Sequence, residues 1–247
     1  MVITSTKLEL ELGINSEIAH YFANVRKVPA ENAYWRNKRV YISFGLGFQA
    51  IPFMFDLVHK CGISTDILLH DEHITLMEDG FDKVGLYENN EISFGEFLSR
   101  CKELLHARIK QFHLAADLFA LLSNNDTKYF EFETKHKALA RSDSFLFTLV
   151  DLDLTDEWVK TFLPLWYSLA RPILLLDDFK DLEEDRQKQE ENMILELGDD
   201  ANAVKQAYDF GMQDLAILAK VNQKLASYIE DFFKKSLTME HIRRMLS

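Results

Sequence analysis

Glycine and proline are scarce in this 247-residue chain, with nine of the first and four of the second. Strands joined by tight turns draw on both, so their scarcity points away from a β-rich fold and towards long helices. Cysteine is scarcer still. Cys61 and Cys101 are too few for a disulfide framework. Both read as buried structural thiols. The opening "MVITSTKLELELG" lacks the basic-then-apolar pattern of a secretory signal, and a reducing cytoplasm is the expected location. Basic residues are outnumbered, 28 against 40 acidic, for a formal charge of −12. A nucleic-acid surface needs a basic stripe to displace counterions from phosphate, so no nucleic-acid partner is expected. Gly-Lys-Ser/Thr and Gly-x-Gly-x-x-Gly loops are missing, which removes support for nucleotide-binding folds. The longest apolar stretch, residues 41–58, is interrupted by Gln49, Pro52 and Asp56 and reads as a buried core helix, not a membrane span.

What is present is material for one large core. Hydrophobic residues make up 47% of the chain, and we expect a single all-α domain over residues 1–247. Helical spacing and stop signals place helices over residues 17–25, 41–58, 66–79, 93–122, 128–150, 156–188, 201–233 (with a break) and 238–245. Thr155 followed by Asp156 and Glu157 marks the start of the 156–188 helix. Gly80 offers a stop for the 66–79 helix.

The stretch "PILLLDDFKDLEEDR", residues 172–186, sets a crowd of carboxylates immediately after an apolar wall. At roughly 100° per residue, Asp177, Asp178, Asp181, Glu184 and Asp185 share an arc of about 120°. Charge runs are usually solvated faces. Here, however, too few Lys or Arg side chains stand at i+4 to neutralise the repulsion, and the run begins where the helix leaves a core-like segment. Crowded carboxylates suit hard divalent cations, and Mg²⁺ in particular is held by a few carboxylates together with substrate phosphates. An EF-hand loop is absent, and a paired-carboxylate hydrolase would need only two such groups. A second acidic segment, "LLHDEHITLMEDGFDK", puts Asp71, Thr75, Glu78 and Asp82 in a narrow arc with Glu72 and Asp79 beside it.

These features together resemble the trans-isoprenyl diphosphate synthases, all-α enzymes of the class I isoprenoid synthase fold. In that family two aspartate-rich helices face each other across a deep apolar cavity, with Mg²⁺ ions holding an allylic diphosphate between them. "DDFKD" matches the second family motif at Asp177, Asp178 and Asp181. "LLHDE" is similar to the opening of the first motif, "NKR" at residues 37–39 to a Gly-Lys-Arg, and "FGE" at residues 94–96 to the start of the next helix. "KHKALAR" resembles a Lys-Thr-Gly-Ala-Leu segment whose lysine contacts the allylic diphosphate; here that residue is Lys135.

The resemblance implies a Mg²⁺-dependent prenyltransferase that condenses an allylic prenyl diphosphate with isopentenyl diphosphate through an allylic cation. It implies catalytic and metal roles for Asp71, Glu72, Asp177, Asp178 and Asp181, with Glu78, Asp79 and Asp185 as further metal ligands. Lys135 would hold the allylic diphosphate, and Lys38, Arg39 and Lys83 the second one. A homodimer, or a heterodimer with another prenyl synthase, is the implied assembly.

The departures keep two alternatives open. The first motif reads Asp71-Glu72 then Glu78-Asp79, the family's Arg-Arg pair becomes Lys83-Val84, and a later lysine position reads Glu191. A terpene-synthase-like enzyme needs only one diphosphate, and a non-catalytic partner subunit needs none. The eight histidines lack the Cys or third-His partners of a zinc site.

Overall fold

The computed structural model describes residues 4–36, 41, 46–133 and 141–247. All regular structure among them is helical, in one compact domain. Its spine is the helix Asp156–Lys188, about 50 Å long at 1.5 Å per residue. Thr155 Oγ1 accepts the Trp158 amide at 3.1 Å to start this helix, and Gln189, left-handed at φ 60°, ends it.

In chain order the α-helices are α1 (Ser5–Leu10), α2 (Ser16–His20), α3 (Leu46–Lys60), α4 (Thr65–Leu68), α5 (Asp71–Glu88), α6 (Phe94–Leu105), α7 (Phe112–Leu122), α8 (Asp156–Lys188), α9 (Met193–Glu196), α10 (Ala201–Leu218), α11 (Gln223–Ser236) and α12 (Glu240–Leu246). A π-helical turn, Tyr21–Val25, follows α2, and a 3-10 helix, Arg141–Leu149, precedes α8. α8 buries an apolar face that includes Phe162, Leu163, Trp166, Leu175, Phe179 and Leu182, and it packs against α3, α7, α9, α10 and α11. α5 packs on α6 and the 3-10 helix. Among the described residues no helix is long and apolar enough to cross a membrane.

Four expectations are corrected. The 93–122 helix is two helices, because residues 106–111 leave the helical path to dock on the chain before α8. There the Lys110 and Gln111 amides donate to the Val150 carbonyl at 2.8 and 3.0 Å, and the Gln111 side chain caps α7 while donating to the Leu154 carbonyl. The 128–150 helix does not start at Lys128. Residues 128–133 are not helical; buried Asp117 accepts the amides of Lys128, Tyr129 and Phe130 at 2.7–2.8 Å and offers this segment an alternative to helical hydrogen bonding. α5 runs through Gly80 to Glu88, since a face of Ile74, Met77, Phe81 and Gly85 is buried and its packing exceeds the roughly 1 kcal/mol cost of an interior glycine. Finally, Tyr41 lies outside the core helix, which α3 takes up at Leu46; residues 42–45 lie outside the described ones.

Asp56, an oddity in an apolar run, is a buried junction. It accepts the Asn15 amide at 2.7 Å and the Asn222 carboxamide at 3.2 Å, and it pairs with Lys60. The N-terminal segment is thereby fastened to the entry of α11.

A strap, residues 26–36, crosses α5. Asn32 Nδ2 donates to the Glu78 carbonyl at 2.7 Å, and the Ala33 amide donates to Asp82 Oδ1 at 2.8 Å. Only glycine admits so close a crossing at position 85, where an added Cβ would lie 2.3 Å from the Tyr34 nitrogen. The obstacle is backbone, so the strap must lift. Gly85→Ala is therefore expected to destabilise the fold by about 2 kcal/mol. Urea unfolding would read this, and an unchanged midpoint would show that the strap is not pinned here.

Candidate functional site

On α8 the acidic arc divides. The Asp177 side chain is 74% exposed and that of Asp181 32% exposed, one helical turn apart. Lys180 lies 2.8 Å from Asp181 and 3.8 Å from Asp177, and the hydrogen bond to Asp181 holds the lysine's pKa above its ordinary value. Asp178, 100° round the helix from Asp177, turns inward. Its Oδ2 accepts the Met193 amide at 2.9 Å, and Asn192 Nδ2 donates to the Asp178 carbonyl at 2.9 Å and to Asp185 Oδ2 at 2.8 Å. Asp178 and Asp185 thus secure the turn into α9, while Asp177 and Asp181 present carboxylates outward.

On α5 the first acidic segment is hemmed in by arginines that the sequence reading did not single out. Asp71 and Glu72 open the helix with side chains 85% and 79% exposed. Arg26 Nη1 is 3.4 Å from Asp71, and Arg108 Nη2 donates to the Glu72 carbonyl at 3.0 Å. Glu78 is buried, with Arg26 Nε and Nη2 each 2.9 Å from one of its two oxygens and the Tyr41 hydroxyl donating to it as well. Burial pushes the Asp79 carboxyl up while Lys83 opposes it, and Lys83 itself pairs with Asp82 at 2.8 Å. Behind the motif, His73 Nδ1 and Asp151 Oδ1 meet at 2.9 Å in the core. The signal for the arginines was available only as lone basic residues, since Arg26 stands 52 positions before Glu78.

Lys38, Arg39 and Lys135 lie outside the described residues. Tyr41 reaches Glu78 at mid-α5. Glu133 meets Arg171 of α8 at 2.7 Å, on the stretch just ahead of Asp177.

Arg171, itself partly buried, reaches from exposed Glu133 inward to buried Asp214. Its Nε lies 3.0 Å from Asp214 Oδ2 of α10, yet among the described residues neither atom has an aligned hydrogen-bond partner. Burial therefore outweighs the arginine's attraction and lifts the Asp214 pKa from 3.8 to about 7, with Glu133 adding to the rise. A raised carboxyl favours the fold when protonated. This stabilisation is present below about pH 4 and is lost as pH rises through about 7. Wild type minus Asp214→Asn stability is expected to fall by a few kcal/mol across that window. Chemical unfolding at stepped pH would show it, and a flat difference would contradict it.

An apolar cavity of about 30 Å³ lies between α5, α6 and the 3-10 helix, lined by Met77, Phe81, Phe97, Cys101, Phe145 and Phe147 among others. That is room for about a water molecule, so a prenyl tail entering here must displace these side chains. Burial lifts the Cys101 thiol to about 12, which keeps it unreactive. Among the described residues no three Asp, Glu, His or Cys side chains converge as a metal cage. Mg²⁺ shared with substrate phosphates needs only one or two carboxylates. Asp177 and Asp181 fit that requirement, whereas Glu78, enclosed by Arg26, does not. No protein-family model, curated protein or solved structure matches this chain.

Proposed function

We propose that this chain is a Mg²⁺-dependent prenyltransferase that joins an allylic prenyl diphosphate to isopentenyl diphosphate. The observation that carries the reading is the outward pair Asp177 and Asp181, set one turn apart on α8 directly after its buried apolar face. Asp177 and Asp181 would hold the ion, with Lys180 between them limiting their mutual repulsion in its absence. Bound Mg²⁺ would neutralise the diphosphate and favour its departure. Lys135 is assigned to the allylic diphosphate, and Lys38, Arg39 and Lys83 to the second. Lys83 must leave Asp82 to take part. Pairing of two copies, or with another prenyl synthase subunit, would use the α6 and α7 region, where Phe112 stands 69% exposed.

A non-catalytic partner subunit is the second reading, favoured by the small cavity and by the enclosure of Glu78. Diphosphate release in the presence of Mg²⁺ separates the possibilities, using C5 to C20 allylic diphosphates each with and without isopentenyl diphosphate. Release that needs both substrates supports chain elongation. Release from one substrate replaces it with a terpene-synthase-like activity, and no release from folded protein favours the partner subunit.

A further inference from the structure

Arg26 follows directly on the π-helical turn Tyr21–Val25, and the Arg26 amide closes that turn on the Tyr21 carbonyl at 2.9 Å. Single π-turns are often retained where they aim a side chain. Here the guanidinium meets both oxygens of Glu78 at 2.9 Å and stands 3.4 Å from Asp71 Oδ1. Asp71 and Glu78 are two turns apart on one face of α5, and a cation serving both must lie between them. The guanidinium occupies that place. Tyr41 donates to the same Glu78 carboxylate, so the residues that define the pair come from three separate parts of the chain.

The chemistry suits an arginine. A guanidinium keeps its charge and matches a carboxylate with two parallel donors, whereas Mg²⁺ gives up its water reluctantly. A metal entering between Asp71 and Glu78 would have to break the fork and strip the ion of water in a half-buried position. The hydrogen bond to Glu78 also holds Arg26 more firmly charged than an ordinary arginine.

We propose that Arg26 is the resident cation of the first acidic helix, standing between Glu78 and Asp71 where a divalent ion would otherwise lie, so that metal uptake is confined to Asp177 and Asp181. The confinement rests on the proposed function above; the placement of Arg26 does not. The first acidic segment then departs from an aspartate-rich motif because its counter-ion is covalently part of the chain.

The test is Mn²⁺ binding, with Mn²⁺ alone as the probe and the free-ion paramagnetic resonance signal as the readout. In the otherwise unaltered chain, the exposed changes Asp71→Asn and Glu72→Gln are expected to shift Mn²⁺ affinity by less than about twofold, while Asp177→Asn with Asp181→Asn weakens it at least about tenfold. Arg26→Gln is expected to add one further Mn²⁺ per chain, and Asp71→Asn in that background to remove it. The proposal is overturned if Asp71→Asn alone weakens Mn²⁺ binding about tenfold with Arg26 intact. It is also overturned if a folded Arg26→Gln chain gains no ion. Should Arg26→Gln fail to fold, the Asp71→Asn comparison decides by itself. An unaltered chain that binds no Mn²⁺ would count against the proposed function, yet the ion gained by Arg26→Gln would still appear, so the two readings fail separately.

Discussion

Asp177→Ala is expected to lower Mg²⁺-dependent diphosphate release by on the order of 100-fold or more while leaving the melting temperature unchanged. The two halves of this expectation come from the same geometry. An Asp177 side chain that is 74% exposed contributes little to the core, its ion pair with Lys180 is solvent-screened, and alanine is a better helix former than aspartate, so the cost to the fold is small. A carboxylate that would bind the ion, in contrast, acts where charge develops during the reaction. Asp178→Ala, one residue on, should behave in the opposite sense. It leaves the Met193 amide without its acceptor and lowers stability by about 1–3 kcal/mol, so its effect on release should track loss of folded protein. Paired measurements of release and thermal unfolding on both variants would distinguish the assignments. Full release by Asp177→Ala would remove α8 from the site.

The largest effect on stability is expected at Asp117, far from any proposed chemistry. Its carboxylate is buried at 2% exposure and accepts three successive amides, those of Lys128, Tyr129 and Phe130. Asp117→Ala would leave three backbone donors without an acceptor in a place water reaches poorly. Even with partial relaxation of the loop, about 3 kcal/mol or more should be lost. Asn is expected to recover only part of this, since an amide offers one accepting oxygen where the carboxylate offers two. Urea denaturation of the two variants would check the order. A loss below about 1 kcal/mol for Asp117→Ala would mean that these amides find other partners.

The positions at which the sequence reading and the structure part company share one cause. Periodicity and capping are local, and where local signals ruled they were legible. Thr155 starts α8 and the helix passes Pro164 and Pro172 to reach Lys188, because its apolar face is buried for most of its length. The all-helical fold follows from the scarcity of glycine and proline. Where a distant side chain intervenes, local signals mislead. The apolar spacing from Phe94 to Leu122 is continuous in sequence, yet the helix opens at residues 106–111 because the Val150 carbonyl takes two of its amides. Gly80, a stop signal by itself, is passed over because the face beyond it packs.

The same division runs through the candidate site. The sequence by itself determined an all-α chain, the span of its longest helix and the two faces on which the acidic residues gather, since each follows from the 100° advance of a helix and from its caps. Which of those carboxylates are available for a cation was decided only by tertiary structure. Asp178 and Asp185 are held by Asn192 and Met193, and Glu78 by Arg26 and Tyr41, whereas the Asp177 and Asp181 side chains stay 74% and 32% exposed beside Lys180 of their own helix. A carboxylate's chemistry depends on the charge and donors packed against it, and the fold brings those from up to 52 positions away, beyond the reach of any helical period.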